Sequence, residues 1–361
     1  MNSLEKARKL INETDLQMAR LFEERMGAVL EIAKYKKEHG LSVYDKKRED
    51  EILQIAPSRI ENQEIAEYYV NFVRNTMELS KAYQERYMNG MRVAYCGTEG
   101  AFAHIAAMKL FPSATAVAYG SFADAYDAVV SGECDSAVLP VENSYNGEVG
   151  QVTDFMFSGS LFVNSMTELA VSHDLLVVPG TRIEDIKEVL SHPQALAQCS
   201  DYVREKGFST QEYTNTALAA RYVAEKGERS VAAIASKEAA DIFGLEVLVQ
   251  NINASRSNTT RFAVFSRARS KHVQGEAGIH SILLFTVRNE AGALARAIDV
   301  IGKYGFNMRT LRSRPMKELL WQYYFYVEAE GDIDSDEGKA MMAELSQYCD
   351  RLKSCGTYIK N

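Results

Sequence analysis

The stretch from Met18 to Lys36 reads MARLFEERMGAVLEIAKYK, which has the periodicity of an amphipathic helix with a cation inside its apolar face. At 100° per residue, four apolar side chains lie within about 60° of Arg25: Met18, Phe22, Val29 and Ile32. Lys36 is eleven residues further on, about 20° past three turns, and shares this face. Because a buried cation without a partner is costly, both cations must pair with acids, extend outward or receive an anionic ligand. The pattern by itself favours structural pairing.

Residues 1–88 continue this periodicity and are predicted to form an all-α unit. Two residue pairs have the spacing of a capping box: Asn2 with Glu5, and Ser58 with Glu61. Gly40 suits a helix end, so we expect a first helix of about 36 residues. The second should begin near Asp45 and the third near Arg59. Since this segment is too short to cover so long a helix, the sequence predicts a bundle completed by a partner chain, as a homodimer or a dimer of dimers.

Other polar residues of this segment have an ordinary interpretation as well as a functional one. Arg8 lies about 100° from the Arg25 face, so it could extend toward a partner chain. The run Asp45-Lys46-Lys47-Arg48-Glu49 opens the second helix, where an acid suits the positive helix end, although such runs are usually solvated. Ser80 and Gln84 share one face of the third helix and could equally be surface residues.

From Met91 onward, short β-rich runs alternate with helical ones, which predicts an α/β sheet domain over residues 91–268. The predicted strands are Arg92–Tyr95, Thr115–Tyr119, Ala137–Pro140, Leu175–Val178, Val231–Ala235 and Phe262–Phe265. After the polar linker Arg267–Gly278, a β-α-β-β-α-β order fills residues 278–361, which is the ferredoxin-like split pattern. Its elements are predicted at Ile279–Val287, Ala293–Tyr304, Asn307–Arg312, Trp321–Glu330, Asp336–Cys349 and Thr357–Ile359.

Composition limits the function classes. The 361 residues suffice for two or three domains. A net charge of −8 disfavours nucleic acid and acidic membranes as partners, and residues 1–90 hold 15 Lys and Arg against 16 Asp and Glu. No signal sequence or membrane span is apparent, so we expect a cytoplasmic protein. The odd count of five cysteines, without metal-ligand spacing, indicates free thiols and no metal site.

Eight positions of residues 1–88 resemble the active-site set of the all-α class of chorismate mutases: Arg8, Arg25, Lys36, Asp45, Arg48, Glu49, Ser80 and Gln84. The rearrangement of chorismate to prephenate is unimolecular. It therefore needs no nucleophile, metal, cofactor or proton carrier, only a rigid cage around the folded dianion.

The resemblance also implies roles for these residues. Arg25, with Arg8 of a neighbouring subunit, would hold the two carboxylates. Lys36 and Gln84 would be catalytic, donating to the ether oxygen as negative charge develops there. Glu49 would accept from the substrate hydroxyl, with the Asp45 backbone alongside. Arg48 and Ser80 would hold carboxylate and cage geometry.

Four motifs of the middle segment lie where strands meet loops: Gly97-Thr98-Glu99-Gly100-Ala101-Phe102-Ala103-His104, Pro140-Val141-Glu142-Asn143-Ser144, Ser191-His192-Pro193-Gln194 with Gln198-Cys199, and Asn258-Thr259-Thr260-Arg261-Phe262. Each motif alone is weak. Together and in this order they resemble prephenate dehydratase, and Thr260-Arg261-Phe262 is the most specific of them. The resemblance implies two α/β lobes, similar to periplasmic binding proteins, that close on prephenate.

Dehydration removes the ring carboxylate as carbon dioxide and the ring hydroxyl as water, so the hydroxyl needs a donor. Thr260 would be an oriented hydrogen-bond donor or relay, with Glu142 or His192 as the candidate proton source. Carboxylates and carbonyl would be held by Asn143, Ser144, Gln198 and Arg261, together with backbone amides of the Gly97–Gly100 turn. Ala103 stands where the family usually has Ser or Thr, so one hydroxyl contact is missing.

The tail resembles the ACT domain of the same enzymes, which implies an allosteric site for phenylalanine between paired domains. The residues that carry this resemblance and would contact the effector are Gly292, Ala293, Leu294, Ser313 and Arg314. Arg312 departs from the family, which usually has Glu in the sequence Glu-Ser-Arg-Pro, and this departure puts phenylalanine sensitivity in doubt. A packing domain without a ligand is the alternative.

All three segments in this order resemble the bifunctional chorismate mutase–prephenate dehydratase family of phenylalanine biosynthesis. A fusion with prephenate dehydrogenase would need a G-x-G-x-x-G turn, which the sequence lacks. A non-catalytic sensor of small acids stays open as an alternative. A sensor would have no need of Thr260, whereas an enzyme would lose turnover without it.

Overall fold

The computed structural model describes residues 2–253, 258–270, 278–316 and 322–360. By its internal contacts the chain divides into two units, Met1–Arg92 and Val93–Asn361. Among the described residues, no helix combines the length and the apolar character that crossing a membrane would require. The five cysteines are free thiols.

The first unit is helical, and local capping explains where its first two helices begin. Its helices are α1 (Ser3–Glu38), α2 (Lys46–Ile55) and α3 (Ala66–Asn89). The predicted capping box of Asn2 and Glu5 is present, and α1 has the predicted length of 36 residues. Asp45 caps α2 by accepting from the Arg48 amide at 3.0 Å. These two helix starts are confirmed.

The predicted start of the third helix near Arg59 is wrong. Two short 3-10 turns, Ala56–Arg59 and Gln63–Ile65, precede α3. Ser58 forms no capping box, because its hydroxyl donates to the Ile55 carbonyl at 2.7 Å. Pro57 lies at the start of the first turn, where its fixed φ and missing N–H are tolerated.

Most of α1 lies on the surface of its own chain. Along its 36 described residues, Val29 and Ala33 are the buried ones. The large apolar side chains of its amino-terminal part are exposed: Leu4, Leu10, Ile11, Leu16, Met18, Leu21 and Phe22. Ile11 lies about 40° from Arg25 around the helix, so the apolar face continues to the amino end. An exposed apolar face of this length is what the expected partner chain would cover.

We therefore expect the protein to sediment as a dimer or a larger even-numbered assembly. Ile11→Lys should raise the dissociation constant of the dimer by at least about tenfold, because it replaces a buried apolar contact with a charge. Asn12→Lys, one residue along on the opposite side of α1, should leave the assembly intact. Sedimentation velocity over a concentration series measures both effects, and a monomeric wild-type chain would contradict the prediction.

The second unit contains two α/β lobes. The first-lobe sheet has six strands in the order β2-β1-β3-β11-β5, with β4 paired to β3. Its strands are β1 (Arg92–Cys96), β2 (Thr115–Tyr119), β3 (Ser136–Asn143), β4 (Gly147–Glu148), β5 (Phe162–Ala170) and β11 (Thr259–Ser266). Its helices are α4 (Phe102–Leu110), α5 (Phe122–Val130) and α6 (Gly150–Ser158).

The second-lobe sheet has five strands in the order β10-β6-β9-β7-β8. These are β6 (Asp174–Val177), β7 (Glu188–Ser191), β8 (Ser209–Glu212), β9 (Val231–Ala235) and β10 (Glu246–Val249). The lobe's helices are α7 (Pro193–Gln198), α8 (Ser200–Lys206), α9 (Thr216–Lys226) and α10 (Lys237–Phe243). The chain leaves the first lobe after β5 and returns in β11, so β5 and β11 lie side by side at the lobe boundary.

The tail forms an antiparallel sheet, which we call the tail sheet, in the order β13-β14-β12-β15. Its elements follow the predicted order: β12 (Ile279–Thr286), α11 (Ala293–Lys303), β13 (Asn307–Pro315), β14 (Tyr323–Glu330), α12 (Asp336–Leu345) and β15 (Arg351–Ile359). The predicted strand start at Trp321 lies outside the described residues. One face of the tail sheet packs on α11 and α12.

The other face of the tail sheet shares a core with the first lobe. Ile282, Leu284 and Tyr358 pack in one cluster with Leu139 and Val163. At Gly356, where φ is +131°, a Cβ would collide with the Val163 carbonyl oxygen, so only glycine fits. Tail and first lobe are therefore one packed body, joined face to face.

The tail sheet also holds one end of α6. Lys353 on β15 donates to the Met156 carbonyl at 2.6 Å and also bonds the Gly159 carbonyl, both at the carboxyl end of α6. A cation suits the carbonyls that a helix leaves unpaired there. Burial lowers the pKa of Lys353.

Candidate active sites

In the helical unit, the inward-facing cation Arg25 meets polar residues of α3. Its guanidinium donates to the Ser80 hydroxyl, and Ser80 is 6% exposed. One turn further on, Gln84 donates to the Ser80 carbonyl at 3.3 Å, while its Oε1 has no hydrogen-bond partner within the described part of the chain. Burial lowers the pKa of Arg25. The structure thus brings Arg25, Ser80 and Gln84 together as the sequence predicts.

A cavity of about 690 Å³ adjoins this group. Three arginines line it, Arg25, Arg48 and Arg59, beside an apolar wall that includes Phe22 and Phe72. Arg59 could not be chosen from the sequence, because it follows Pro57 in a turn that has no helical periodicity. Three guanidiniums line this cavity, a setting for electrostatic binding of a small polyanion.

The other predicted residues of this unit lie outside the cavity lining. Lys36 donates to the Val43 carbonyl at 2.6 Å. Glu49 pairs with Lys81 at 3.1 Å, and Asp45 serves as the cap of α2. Arg8 lies on the exposed part of α1.

In the second unit, a chain of side-chain hydrogen bonds crosses the boundary between the lobes. Asn143 on β3 donates to the Thr260 hydroxyl at 2.9 Å and to Asn258 Oδ1 at 2.8 Å. Asn258 donates to Gln198 Oε1 at 3.1 Å, and His173 Nε2 lies 2.9 Å from the same oxygen. Polar groups from both lobes are thereby fixed relative to one another.

The orientation of the Asn143 amide decides what Thr260 can do. Asn143 Oδ1 accepts the backbone amides of Tyr145 and Asn146, each at 3.0 Å. Its Nδ2 must therefore be the atom facing Thr260, which accepts from it. A hydroxyl that accepts this bond is left with its own proton to donate. Thr260 is 9% exposed and borders a cleft.

The cleft has a volume of about 290 Å³ and is lined by neutral polar and apolar groups. Among its described lining there is no Asp, Glu, Lys or Arg; the polar members are Asn143, Asn146, His173, His192, Gln194, Gln198, Asn215, Thr216, Asn258 and Thr260. The predicted residues Asn143, His192, Gln198 and Thr260 are thus brought together. Ala101 and Phe102, which follow the Gly97–Gly100 turn, also line it, whereas Ala103 is buried in α4 outside the lining.

The two histidines of the cleft differ in environment. His173 is buried. Because Gln198 Oε1 can only accept a hydrogen bond, Nε2 of His173 carries the proton. Burial lowers the pKa of His173, which keeps the ring neutral and makes it a poor acid. His192 caps α7, where its Nδ1 accepts the Gln194 amide at 3.3 Å, so a neutral ring carries its proton on Nε2. His192 Nε2 is therefore the ring nitrogen that can donate a hydrogen bond at the cleft.

Glu142, Ser144 and Arg261 lie outside the cleft lining, unlike their predicted place at the substrate. Alternation along a strand explains two of them, because Glu142 and Arg261 are the neighbours of Asn143 and Thr260 and face the opposite way. They meet the tail sheet instead: Glu142 pairs with Arg312, and Arg261 with Glu328 at 2.8 Å. Ser144 accepts the Thr259 amide at 2.9 Å and ties β3 to β11.

Electrostatics around Arg261 agree with that placement. Burial acts to lower the pKa of Arg261, but the hydrogen bonds and charge of Glu328 outweigh it and raise the pKa. Burial likewise acts to raise the pKa of Glu328, and the bonds from Arg261 lower it. Both groups are therefore charged at neutral pH.

Six polar residues of the cleft carry no predicted role: Asn146, His173, Gln194, Asn215, Thr216 and Asn258. Asn258 stands in the quoted motif before Thr260 and could have been chosen from it. Asn215 caps α9 by accepting the Leu218 amide at 2.7 Å, a local signal that identifies a helix start rather than a site.

In the tail, the predicted effector residues fall into two groups. Leu294 lines a cavity of about 530 Å³ with Asn289, Glu290 and Tyr323, next to Gly292 and Ala293 at the start of α11. Ser313 is exposed on β13, outside that lining. Arg314 points toward the first lobe, where it donates to Asp154 at 3.1 Å.

Comparisons with known proteins agree with this division. The chorismate mutase type II family model matches residues 7–85, and the prephenate dehydratase model matches residues 93–270. The bifunctional chorismate mutase/prephenate dehydratase of Escherichia coli K12 is 28% identical, over 99% of this chain and 96% of that protein. Arogenate dehydratase 2 of Petunia hybrida is 34% identical, over 74% of this chain and 71% of that protein.

A solved structure is similar to about three quarters of this chain. The prephenate dehydratase of Arthrobacter aurescens in complex with L-Phe has a TM-score of 0.67 and 26% identity, over 75% of this chain and 90% of that chain. An arginine-lined helical cavity and a two-lobed cleft on one polypeptide define an enzyme with two active sites. The chain belongs to the family of bifunctional chorismate mutase/prephenate dehydratases. It rearranges chorismate to prephenate and converts prephenate to phenylpyruvate in phenylalanine biosynthesis.

The neutral His173 makes stability depend on pH. The unfolded chain takes up a proton near the usual histidine pKa of about 6.5, whereas the folded chain resists protonation. The free energy of unfolding of the second unit should therefore fall as the pH drops below about 6.5, by at most about 1.4 kcal/mol per pH unit from this residue. His173→Gln should reduce the slope, and the exposed His39→Gln should not. Urea unfolding at pH 7 and pH 5 measures it, and an unchanged slope in His173→Gln would refute the assignment.

Proposed function

We propose that the mutase reaction takes place where α1 and α3 meet. Arg25 and Arg48, already on the cavity, supply positive charge for the chorismate carboxylates, and Arg8 of a partner chain supplies more. The cavity also contains Arg59, which the sequence argument did not include. Since the rearrangement is unimolecular, a preorganised cage accounts for catalysis without a cofactor or metal.

Lys36 and Gln84, which lie outside the cavity lining, are the proposed donors to the ether oxygen. The position of Lys36 is fixed by the Val43 carbonyl, and Gln84 is buried beside Ser80. Donors held in place before the reaction need no rearrangement as charge develops, which is the source of their effect on the barrier. Glu49 and Asp45, at the start of α2, are proposed to hold the substrate hydroxyl.

For the dehydratase, the observation that carries the proposal is the oriented Thr260 hydroxyl. Asn143 donates to it, so the Thr260 proton is directed to the leaving hydroxyl of prephenate. A threonine is too weak an acid to protonate that hydroxyl, and so is a neutral imidazole. An imidazolium at His192, on the same cleft, is therefore the proposed proton source. Glu142, the other candidate from sequence, is paired with Arg312 outside the cleft. Gln198 Nε2, which has no hydrogen-bond partner among the described residues, is proposed to bind a carboxylate.

The two lobes are proposed to close on prephenate as periplasmic binding proteins close on their ligands. The cleft residues come from both lobes, so binding at Asn143 on one side and Gln198 on the other would bring the lobes together. Closure excludes water, which strengthens each hydrogen bond to the substrate.

Single substitutions should disable the two activities separately. Lys36→Ala should raise the mutase barrier by about 2–4 kcal/mol, the cost of one oxyanion-type donor, and leave dehydratase turnover unchanged. Thr260→Ala should stop prephenate turnover and leave the mutase intact. Each variant is thus the folding control for the other.

Purified protein supplied with chorismate alone, with chorismate, prephenate and phenylpyruvate followed over time, gives both rates. Joint loss of activity in either variant would argue against two sites. Prephenate turnover surviving in Thr260→Ala would remove Thr260 from the mechanism and leave a binding domain as the better interpretation.

The tail, residues 278–361, is proposed to be a ferredoxin-like ACT regulatory domain. The other two proposed domains are the mutase, residues 1–88, and the dehydratase, residues 91–268. The similar dehydratase from Arthrobacter aurescens was solved with L-Phe, and here the cavity beside Leu294 offers a place of about 530 Å³. A second chain would complete it, consistent with the expected dimer. The five free cysteines suit a reducing compartment, and we infer a cytoplasmic location.

Feedback by phenylalanine should be weak in this chain. Arg312 replaces the family glutamate and is occupied by Glu142, so the motif presents no carboxylate at this position to an amino-acid ammonium group. A phenylalanine titration of prephenate turnover should show inhibition only at high concentration. Tight, cooperative inhibition would overturn this expectation, and the mutase rate in the same samples is the control.

A further inference from the structure

Arg312, like Ala103, is a position at which this chain departs from the family pattern, and its side chain reaches out of the tail. From β13 it pairs with Glu142 on β3 of the first lobe. Arg312 and Glu142 are 25% and 27% exposed, so the pair is largely shielded from water. A glutamate at residue 312 would instead oppose the Glu142 carboxylate.

The pair is one end of an alternating row of four charges: Arg312, Glu142, Arg261 and Glu328. Arg261 lies 3.6 Å from Glu142 and 2.8 Å from Glu328, and it donates to both Glu328 oxygens. Glu328, 4% exposed, also accepts from Tyr358. Signs alternate along the row, and the more exposed Glu168 lies a further 3.9 Å from Arg261. Removal of Arg312 leaves Glu142 with Arg261, at 3.6 Å, as its remaining counter-charge in the row.

The backbone connects this row to the cleft. Glu142 pairs with Arg261, and the next cross-strand pair is Asn143 with Thr260. The register of β3 against β11 shifts between Arg261 and Phe262, so these two pairs lie beyond the regular ladder. Because successive side chains of a strand point to opposite faces of the sheet, Glu142 and Arg261 lie in the charge row on one face. Asn143 and Thr260 lie on the other face, where Asn143 donates the hydrogen bond that orients Thr260.

We propose that Arg312 is a positioning residue for the dehydratase reaction, acting from the tail sheet through Glu142. By holding Glu142 it keeps the end of β3 in place, and with it the Asn143 amide that directs the Thr260 proton. The assignment rests on the proposed roles of Thr260 and Asn143, and it goes beyond them because Arg312 contacts no part of the cleft. Arg312 thereby has a positioning role in the dehydratase reaction that is separate from effector binding.

Arg312→Gln tests the proposal. The dehydratase kcat should fall by about tenfold, as expected for a small misplacement of a reacting group, while KM for prephenate changes by less than about threefold. Arg312→Lys keeps the charge beside Glu142 and should retain most of kcat. Arg309→Gln is the matched control, because Arg309 on the same strand pairs with Glu330 inside the tail sheet, outside the charge row.

A double-mutant cycle separates this role from direct catalysis. Glu142→Gln should cost as much as Arg312→Gln, and the double variant should fall no more than about twofold further, since both remove one interaction. The neutral double variant leaves no lone carboxylate at Glu142, so it keeps the test available if Arg312→Gln does not fold. The mutase rate of each preparation reports the amount of active chain.

Three results would overturn the proposal. The first is an unchanged kcat in Arg312→Gln with Thr260→Ala inactive, which would leave the proposed site standing and remove Arg312 from it. The second is an equal loss in Arg312→Lys and Arg312→Gln, and the third is full additivity in the cycle. If Thr260→Ala itself retained turnover, the proposed site would fail, and that result is distinct from the other three.

Discussion

The antiparallel pairing of β3 with β11 is the constraint on which the dehydratase half depends. More than a hundred residues separate Asn143 from Thr260, and the loop-closure entropy of joining them is repaid only by the finished sheet. One face of the pair provides an oriented hydroxyl, and the other a row of compensated charges. Catalytic geometry and attachment of the tail are therefore two consequences of one strand pairing.

The sequence predicted best what local forces decide. The start and length of α1 follow from a capping box and an apolar period, and β2 and β9 have the predicted bounds because each is a short apolar run between turns. The start of α3 was missed because the spacing of Ser58 and Glu61 is typical of a capping box, whereas Pro57 lies at the start of a short 3-10 turn there. Strand β8 was missed too, since its four residues are all exposed and show no alternation.

The candidate sites were predictable in their members more than in their arrangement. The motifs correctly assigned Asn143, Gln198, His192 and Thr260 to one cleft. The side chains of Glu142 and Arg261 instead face the tail sheet, and no local pattern in the motifs predicts that contact. His173 was missed for a related reason: a lone histidine after a strand is uninformative until Gln198 lies beside it. Arg59, which lines the arginine cavity, was also missed, because no local pattern indicates that it lies there.

The core that the tail sheet shares with the first lobe has a consequence for how this chain can be divided. Tyr358, Ile282 and Leu284 are almost completely buried against first-lobe residues such as Leu139. A protease cut between residues 267 and 278 would sever the peptide connection without releasing the tail, because apolar burial holds the two fragments. Removing the tail gene segment would expose that surface to water. In evolution, such a tail is therefore easier to alter by substitution than to lose by deletion.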